Sequence, residues 1–254
     1  MQSRVASALS LVGREALRIV LPSWCVACKR DLPWSERTAS CCAECWASMP
    51  KYVVPKCVSC ALPSPLPDVK NNVKPDVEPY LCIACMTRPL PVGWCEAWGE
   101  YTGALESVLH ALKFERHDFL ADALSSLLEE TLRARGDLAF DALVAVPMSR
   151  AKLRRRGYNQ AELLARTLSS RLRVGCDMTL LRRRGERATQ STLPKRERAA
   201  NVRGAFVSSS RVKGKSILVV DDICTTGETL RACADALLRA GASRVCAVTV
   251  AKAS

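Results

Sequence analysis

Across residues 118–135, apolar side chains recur at Phe119, Leu120, Ala123, Leu124, Leu127, Leu128 and Leu132, one face of a helix that Gly136 closes. Residues 160–173 and 228–240 carry the same period. Beside them lie short runs with no polar interruption at 142–146, 217–220 and 245–250. A strand reads as unbroken apolar when both its faces are buried, so such strands alternating with helices predict a parallel sheet covered on both sides. Ligands of these sheets bind at the carboxyl ends of the strands, which directs attention to the residues just after 146 and 220. Residues 178–181 and 205–207 are weaker strand candidates. Near the other end, Val5, Leu9, Val12, Ala16, Leu17 and Val20 share one face. They predict an amphipathic helix over 1–22 that packs on the protein, since it has too few basic and large aromatic residues for a membrane surface.

The pattern breaks down over residues 23–95, where cysteines replace apolar runs. Nine of the fourteen cysteines fall between Cys25 and Cys85, as Cys25-Val-Ala-Cys28, Cys42-Ala-Glu-Cys45, Cys57-Val-Ser-Cys60 and Cys82-Ile-Ala-Cys85, with Cys41 beside Cys42. A two-residue gap lets both thiolates of a turn face one ion, and two such turns complete the tetrahedron that structural zinc prefers. Two zinc sites are therefore expected, with Cys42 preferred to Cys41 because it restores the gap. Spacing leaves the pairing open between a sequential arrangement, 25/28 with 42/45 and 57/60 with 82/85, and a crossed one. No His or carboxylate is placed to leave an open ligand position, so the metal reads as structural. Charged residues interrupt the opening stretch, no export signal is legible, and no apolar run approaches a membrane span. The expectation is a protein of the reducing cytosol. Trp24, Trp34, Trp46, Trp94 and Trp98 all lie in this N-terminal part and are expected to fill its small apolar interior rather than to stack on bases. Residues 63–79, with five prolines, read as an irregular insertion.

Charge narrows the partner. Of the net +13, residues 150–215 carry 19 Lys or Arg against four acids, +15, and the rest of the chain is close to neutral. A local excess of this kind calls for a polyanion: pyrophosphate, nucleotide or nucleic acid.

The strand at 217–220 runs directly into Asp221, Asp222, Ile223, Cys224, Thr225, Thr226, Gly227, Glu228 and Thr229. Threonine hydroxyls, a glycine and the backbone amides of a following helix make a phosphate cradle. Thr225 and Glu228 fit a capping box, which places the helix start at this turn. Two carboxylates beside it would repel a bare phosphate and suit sugar hydroxyls instead, so a phosphorylated ribose satisfies both halves. The segment resembles the motif for phosphoribosyl pyrophosphate (PRPP) of type I phosphoribosyltransferases. The resemblance implies that Asp221 and Asp222 hold the ribose 2′ and 3′ hydroxyls, and that Thr225, Thr226, Gly227 and Thr229 wrap the 5′-phosphate.

After residue 146 come Pro147, Met148, Ser149 and Arg150, then Arg154, Arg155, Arg156, Gly157, Tyr158, Asn159 and Gln160. Clustered guanidinium forks suit the several oxygens of pyrophosphate. The stretch from Val146 to Ala161 is similar to the signature of the ComF family of competence-associated, phosphoribosyltransferase-like proteins. Residues Gln190 to Phe206, Tyr101-Thr-Gly103 and Lys113-Phe114 resemble further segments of it. Lys29 and Ala61 depart from the family, following knuckle cysteines where glycine is common, and Arg187 stands where Thr is frequent.

The resemblance implies a type I phosphoribosyltransferase-like α/β parallel sheet over 100–254, with an N-terminal double zinc ribbon over 23–95. It implies catalysis involving Asp221, Asp222, Arg150 and Arg156, PRPP bound also through Arg150 and accompanied by magnesium, and a mobile lid with Lys195, Arg196 and Arg198. The metal ligands would be Cys25, Cys28, Cys42, Cys45, Cys57, Cys60, Cys82 and Cys85. Two functions are compatible with it. One is a phosphoribosyltransferase with an unread acceptor, acting in natural transformation or nucleotide metabolism. The other is a non-catalytic PRPP sensor that holds single-stranded DNA and meets other competence proteins.

Overall fold

The computed structural model describes residues 24–33, 40–52, 55–64, 80–184 and 204–253. The helix expected over 1–22, Trp34, most of the proline-rich stretch and the lid cations Lys195, Arg196 and Arg198 lie outside the described residues. The chain divides into two compact units, residues 1–50 with 102–120, and residues 51–101 with 121–254.

In the first unit, the short helix α1 (Ala43–Ala47) follows Cys42, whose sulfur accepts from the Cys45 N–H at the helix start. The partner element α3 (Gly103–Phe114) buries Leu105, Val108, Leu109, Ala111 and Leu112 on one stripe, the i, i+3, i+4, i+7 pattern of an amphipathic helix.

The second unit opens with the short helix α2 (Ile83–Thr87) and contains a four-stranded parallel sheet. Its strands β1 (Cys95–Glu100), β2 (Ala142–Ala145), β5 (Ser216–Cys224) and β6 (Arg244–Lys252) lie in the order β1-β6-β5-β2. Leu143, Val144, Ile217, Leu218, Val219, Val220, Val248 and Val250 are buried, as strands covered on both faces require. The helices are α4 (Leu120–Arg135), the basic α5 (Arg150–Arg156), α6 (Gln160–Leu172) and α7 (Glu228–Arg239). A separate antiparallel pair joins β3 (Leu181–Arg183) to β4 (Phe206–Ser208).

Two local expectations need correction. The strand expected at 178–181 begins only at Leu181, because the Asp177 carboxylate accepts from the Thr179 N–H at 2.8 Å and from its hydroxyl at 2.6 Å, closing a turn first. Nor does Thr225 cap α7. The N-cap is Gly227 at φ 78°, and the Thr226 hydroxyl accepts from the Glu228 N–H only at 3.5 Å. The left-handed turn that glycine supplies redirects the chain into the helix in place of a capping box.

Trp94 and Trp98 are buried, with indole N–H groups donating to Asp137 and Glu130, each at 2.8 Å. These two are apolar filling with a satisfied polar edge, as expected. Trp24 is half exposed. Among the described residues, no helix is long and apolar enough to cross a membrane.

Candidate functional site

The eight cysteines assemble into two groups, Cys25, Cys28, Cys42 and Cys45, and Cys57, Cys60, Cys82 and Cys85, with the ligand atoms of each group within 4.8 Å of one another. The sequential pairing is the one formed, and Cys42 is the member of the set rather than Cys41. Both groups are built alike. One half is a turn in which the first cysteine N–H donates to a carbonyl five residues on, Cys25 to Arg30 and Cys57 to Leu62, each at 2.7 Å. The other half is a helix start with a cysteine at the N-cap position: Cys42, whose sulfur accepts from the Cys45 N–H, or Cys82, which makes no side-chain capping bond.

Four sulfurs about 2.3 Å from a tetrahedral zinc stand about 3.8 Å apart. Cys28 and Cys42 are 3.8 Å apart and Cys60 and Cys82 are 3.7 Å apart, so these pairs stand at zinc-site spacing and both groups could hold zinc. Burial pushes the Cys25 thiol up, but the N–H groups of Cys28, Cys42 and Ala27 outweigh it and hold the thiol down at about 6. Burial likewise opposes ionisation of Cys57, and the N–H groups of Cys82, Ser59 and Cys60 bring it below the ordinary thiol value. Each group thus holds a thiol predisposed to the thiolate form that metal requires. The Cys41 sulfur, buried, lies 3.9 Å from that of Cys25.

The two motifs of the sheet end side by side. Strands β2 and β5 pair in parallel, Ala145 opposite Val220, and the Val146 N–H donates to the Val220 carbonyl at 3.0 Å. Pairing with β2 stops there, but β5 does not end at 220 as expected: Asp221 and Asp222 continue the strand, paired with β6 as far as Cys224, so residues 147–150 leave β2 beside the last stretch of β5, and the turn 225–227 follows it. Asp221 accepts from the Asp222 N–H at 2.9 Å and Asp222 from the Ile223 N–H at 2.8 Å, which fixes both carboxylates against the backbone. Asp222 is buried, whereas Thr225 and Thr226 are exposed. From β6, the buried Lys252 ammonium donates to the carbonyls of Thr225 and Ala253 and so ties the turn to the sheet.

After β2, the Ser149 hydroxyl caps α5, accepting from Lys152, and Gly157 at φ 90° ends the helix. Asn159 then starts α6. Its amide oxygen accepts from the Ala161 N–H, and its NH2 donates to the Val146 carbonyl at 3.0 Å, returning the chain to the strand end. The Gly157–Asn159 part of the sequence signature is thus structural. A cleft of about 440 Å³ opens here, walled by Pro147, Ser149, Arg150, Arg154 and Asn159 and by Met178 and Arg182 to Arg184 on the facing side. Arg150 is in its wall, and Arg156 donates to the Gln160 side-chain oxygen at 2.6 Å. Asn159 and Lys252 were not singled out as site residues from the sequence, whereas Arg182 to Arg184 were readable there as candidate DNA-contacting cations within the basic segment.

The phosphoribosyl transferase domain family matches residues 154–254. DNA utilization protein YhgH of Salmonella typhimurium is 32% identical over 231 residues, which span 89% of this chain and 96% of the relative. YhgH of Escherichia coli is 37% identical over 168 residues, 65% of this chain and 74% of the relative. Competence protein F of Haemophilus influenzae is 29% identical over 154 residues, 58% and 67% of the two chains.

Proposed function

The chain belongs to the ComF family, and on that premise we propose that it binds PRPP through residues 221–229 and works in the handling of DNA taken up by the cell. The observation that carries this reading is the common sheet edge. Past the point where β2 stops, β5 carries the paired carboxylates and then the threonine-glycine turn, while the arginine-lined cleft opens at the end of β2, and PRPP is a molecule with one chemical group for each.

In this reading Asp221 and Asp222 accept from the ribose 2′ and 3′ hydroxyls. The 5′-phosphate lies at the start of α7, where Gly227 offers no capping side chain and the Glu228 N–H has only the long 3.5 Å bond to the Thr226 hydroxyl for an anion to replace. Thr225, Thr226 and Thr229 add hydroxyl donors. Arg150 and Arg154, both in the cleft wall, receive the pyrophosphate, with Mg²⁺ accompanying it. Arg156 acts at one remove, holding Gln160 and the start of α6. Transfer of the ribose to an acceptor would release pyrophosphate into the cleft. The relatives' names concern DNA utilization and competence. A DNA-binding role is favoured here by Arg182, Arg183 and Arg184, consecutive cations on one cleft wall.

Calorimetry of PRPP on the full-length zinc-loaded chain, with and without Mg²⁺, tests the reading. Micromolar, Mg²⁺-dependent binding is expected, weakened at least about a hundredfold in Asp221→Asn/Asp222→Asn, since each lost carboxylate acceptor is worth about 1.5–3 kcal/mol. Well-folded protein with no affinity for PRPP would refute it. Neutralising Arg182 to Arg184 should flatten the salt dependence of single-strand binding and leave PRPP affinity unchanged.

A further inference from the structure

The second cysteine group does more than close its own fold. Between two of its ligands, Cys57 and Cys60, sits Ser59, buried, whose hydroxyl accepts from the Leu90 N–H at 2.7 Å. Leu90 is itself buried, and its methyl groups lie 3.1 and 3.2 Å from where a Cβ on Gly227 would stand. Leu90 thus covers the bare face of the glycine in the left-handed turn at the head of α7. Arg88, just past the helix that Cys82 and Cys85 anchor, holds both carboxylate oxygens of Glu228, at 3.1 and 3.4 Å. The guanidinium of Arg231, one turn into α7, returns the contact with two bonds, to the carbonyls of Pro89 at 2.7 Å and Arg88 at 2.8 Å. On the strand side of the turn, the Cys224 thiol points to the Cys60 carbonyl at 3.9 Å.

The turn from Cys224 to Glu228 is therefore met at both its ends, and at its glycine, by residues fastened to this group. We propose that the group Cys57, Cys60, Cys82 and Cys85 is the positioning element of the phosphate turn. Ser59, Leu90 and Arg88 act as positioning residues, so that metal retention in this group and ribose-phosphate affinity are coupled. The ligand half of this claim rests on residues 225–229 holding a phosphate, as above.

The physical basis is the low-energy alternatives open to the turn. A Gly-led turn with two exposed threonines has many conformations without support, and ordering it on binding costs affinity. Thiolates drawn to one ion fix the Cys57–Cys60 and Cys82–Cys85 segments, and through them Leu90 over Gly227 and Arg88 on Glu228. Release of the ion frees both, and the turn must then be ordered by the ligand. Coupling of this kind is reciprocal, so a bound phosphate should slow metal loss from the same group.

Two measurements on the full-length zinc-loaded chain separate the claims. The first is amide hydrogen exchange over residues 224–231 without ligand, in the native chain, Leu90→Ala, Ser59→Ala and Cys85→Ser. The second is affinity for ribose 5-phosphate and PRPP, together with the rate of zinc transfer to a chelator. Leu90→Ala and Ser59→Ala should keep their full zinc content and the protection of β5 and β6. They should exchange faster at 224–231 and bind the ligand roughly tenfold more weakly, at the lower end of typical coupling. Ile83→Ala, at an 84% exposed position on the helix that follows Cys82, should change nothing. Ribose 5-phosphate should slow zinc release from the native chain. If no chain binds ribose phosphates while exchange at 224–231 still rises in the variants, the ligand reading falls and the positioning role stands. If the native chain binds and Leu90→Ala and Ser59→Ala match it in affinity and exchange, the positioning role is overturned. Unchanged exchange with no binding by any chain overturns both.

Discussion

The two cysteine groups share one construction and differ in their setting. In the first, Cys28 is exposed and Cys45 half-exposed, whereas all four cysteines of the second are buried. The position between the turn cysteines differs too. It is Ala27 in the first group and, in the second, Ser59, whose hydroxyl reaches Leu90. The same local geometry can thus close a small module or, with one hydroxyl and an Arg-Pro-Leu segment, brace a turn remote in sequence. Ligand spacing alone does not distinguish the two uses.

The widest separation expected between them is in metal exchange. Solvent access and the shell around a site govern how readily a metal leaves it. A chelator should therefore remove zinc from the native chain in two phases, the faster from the group with the exposed Cys28, at rates at least about tenfold apart. Cys28→Ser should hold about one zinc per chain and lose the fast phase. Cys85→Ser should also hold about one zinc, lose the slow phase, and forfeit folding free energy of the order of 10 kcal/mol or more that the ion supplies there. A single release phase from the native chain would erase the distinction. So would a pair of variants with indistinguishable kinetics.

The parts of the molecule legible in the sequence are those whose interactions are local. The apolar start of β5, the two aspartates and the turn to Gly227 were readable because a stretch buried on both faces has no polar residues and the turn carries its own chemistry, but the strand's continuation through Asp221 and Asp222 to Cys224 was not, since it is set by pairing with the distant β6. The cysteine sets were readable because ligand spacing is local. Strand β1 was not, because Glu96, Gly99 and Glu100 interrupt its apolar run. Glu96 is tolerated there through ion pairs to Lys56 and Arg135, partners distant in sequence. Helix α5 read only as a cluster of arginines, since it has no apolar stripe and is held by its Ser149 cap and Gly157 stop. Leu90 over Gly227 and Lys252 on Thr225 are tertiary contacts with no sequence signature.

Of intermediate size is the difference between the tryptophans. Trp94 is buried and donates to Asp137, whereas Trp24 is half exposed, so Trp94→Phe should cost about 1 kcal/mol and Trp24→Phe close to nothing. The pH dependence adds a sharper mark. The Trp94 indole, and after it Arg244, holds the Asp137 carboxyl below its ordinary value of 3.8. A carboxyl with a lowered folded-state value contributes stability that is complete above its unfolded value and disappears as pH falls through the folded one. Unfolding of the native chain should therefore show a stability loss beginning below about pH 4, and Trp94→Phe should shrink that loss while leaving the curve above about pH 6 parallel. Identical acid limbs for the two chains would mean that the indole does not hold the carboxylate.

The smallest effect comes from the two residues that follow the turn cysteines in left-handed backbone. Lys29 and Ala61 occupy equivalent places after Cys28 and Cys60, each with its N–H donating back to the first cysteine of its turn, and their φ angles are 62° and 61°. The left-handed region costs a residue with a Cβ about 1–2 kcal/mol, and glycine recovers this less about 0.5–1 kcal/mol of chain entropy. At Lys29, which is exposed, the exchange also removes the bond from its ammonium to the Val26 carbonyl at 2.9 Å, so Lys29→Gly should stabilise the first unit by about 0.5 kcal/mol or less in urea titrations at fixed free zinc. Ala61 is fully buried, and removing its methyl forfeits about 0.8 kcal/mol of burial, so Ala61→Gly should be neutral within error. Equal gains at both positions would show that backbone strain alone decides, and that the packing of the second turn is looser than its burial implies. A gain at Lys29 alone would make the contrast between the two groups measurable at a single atom.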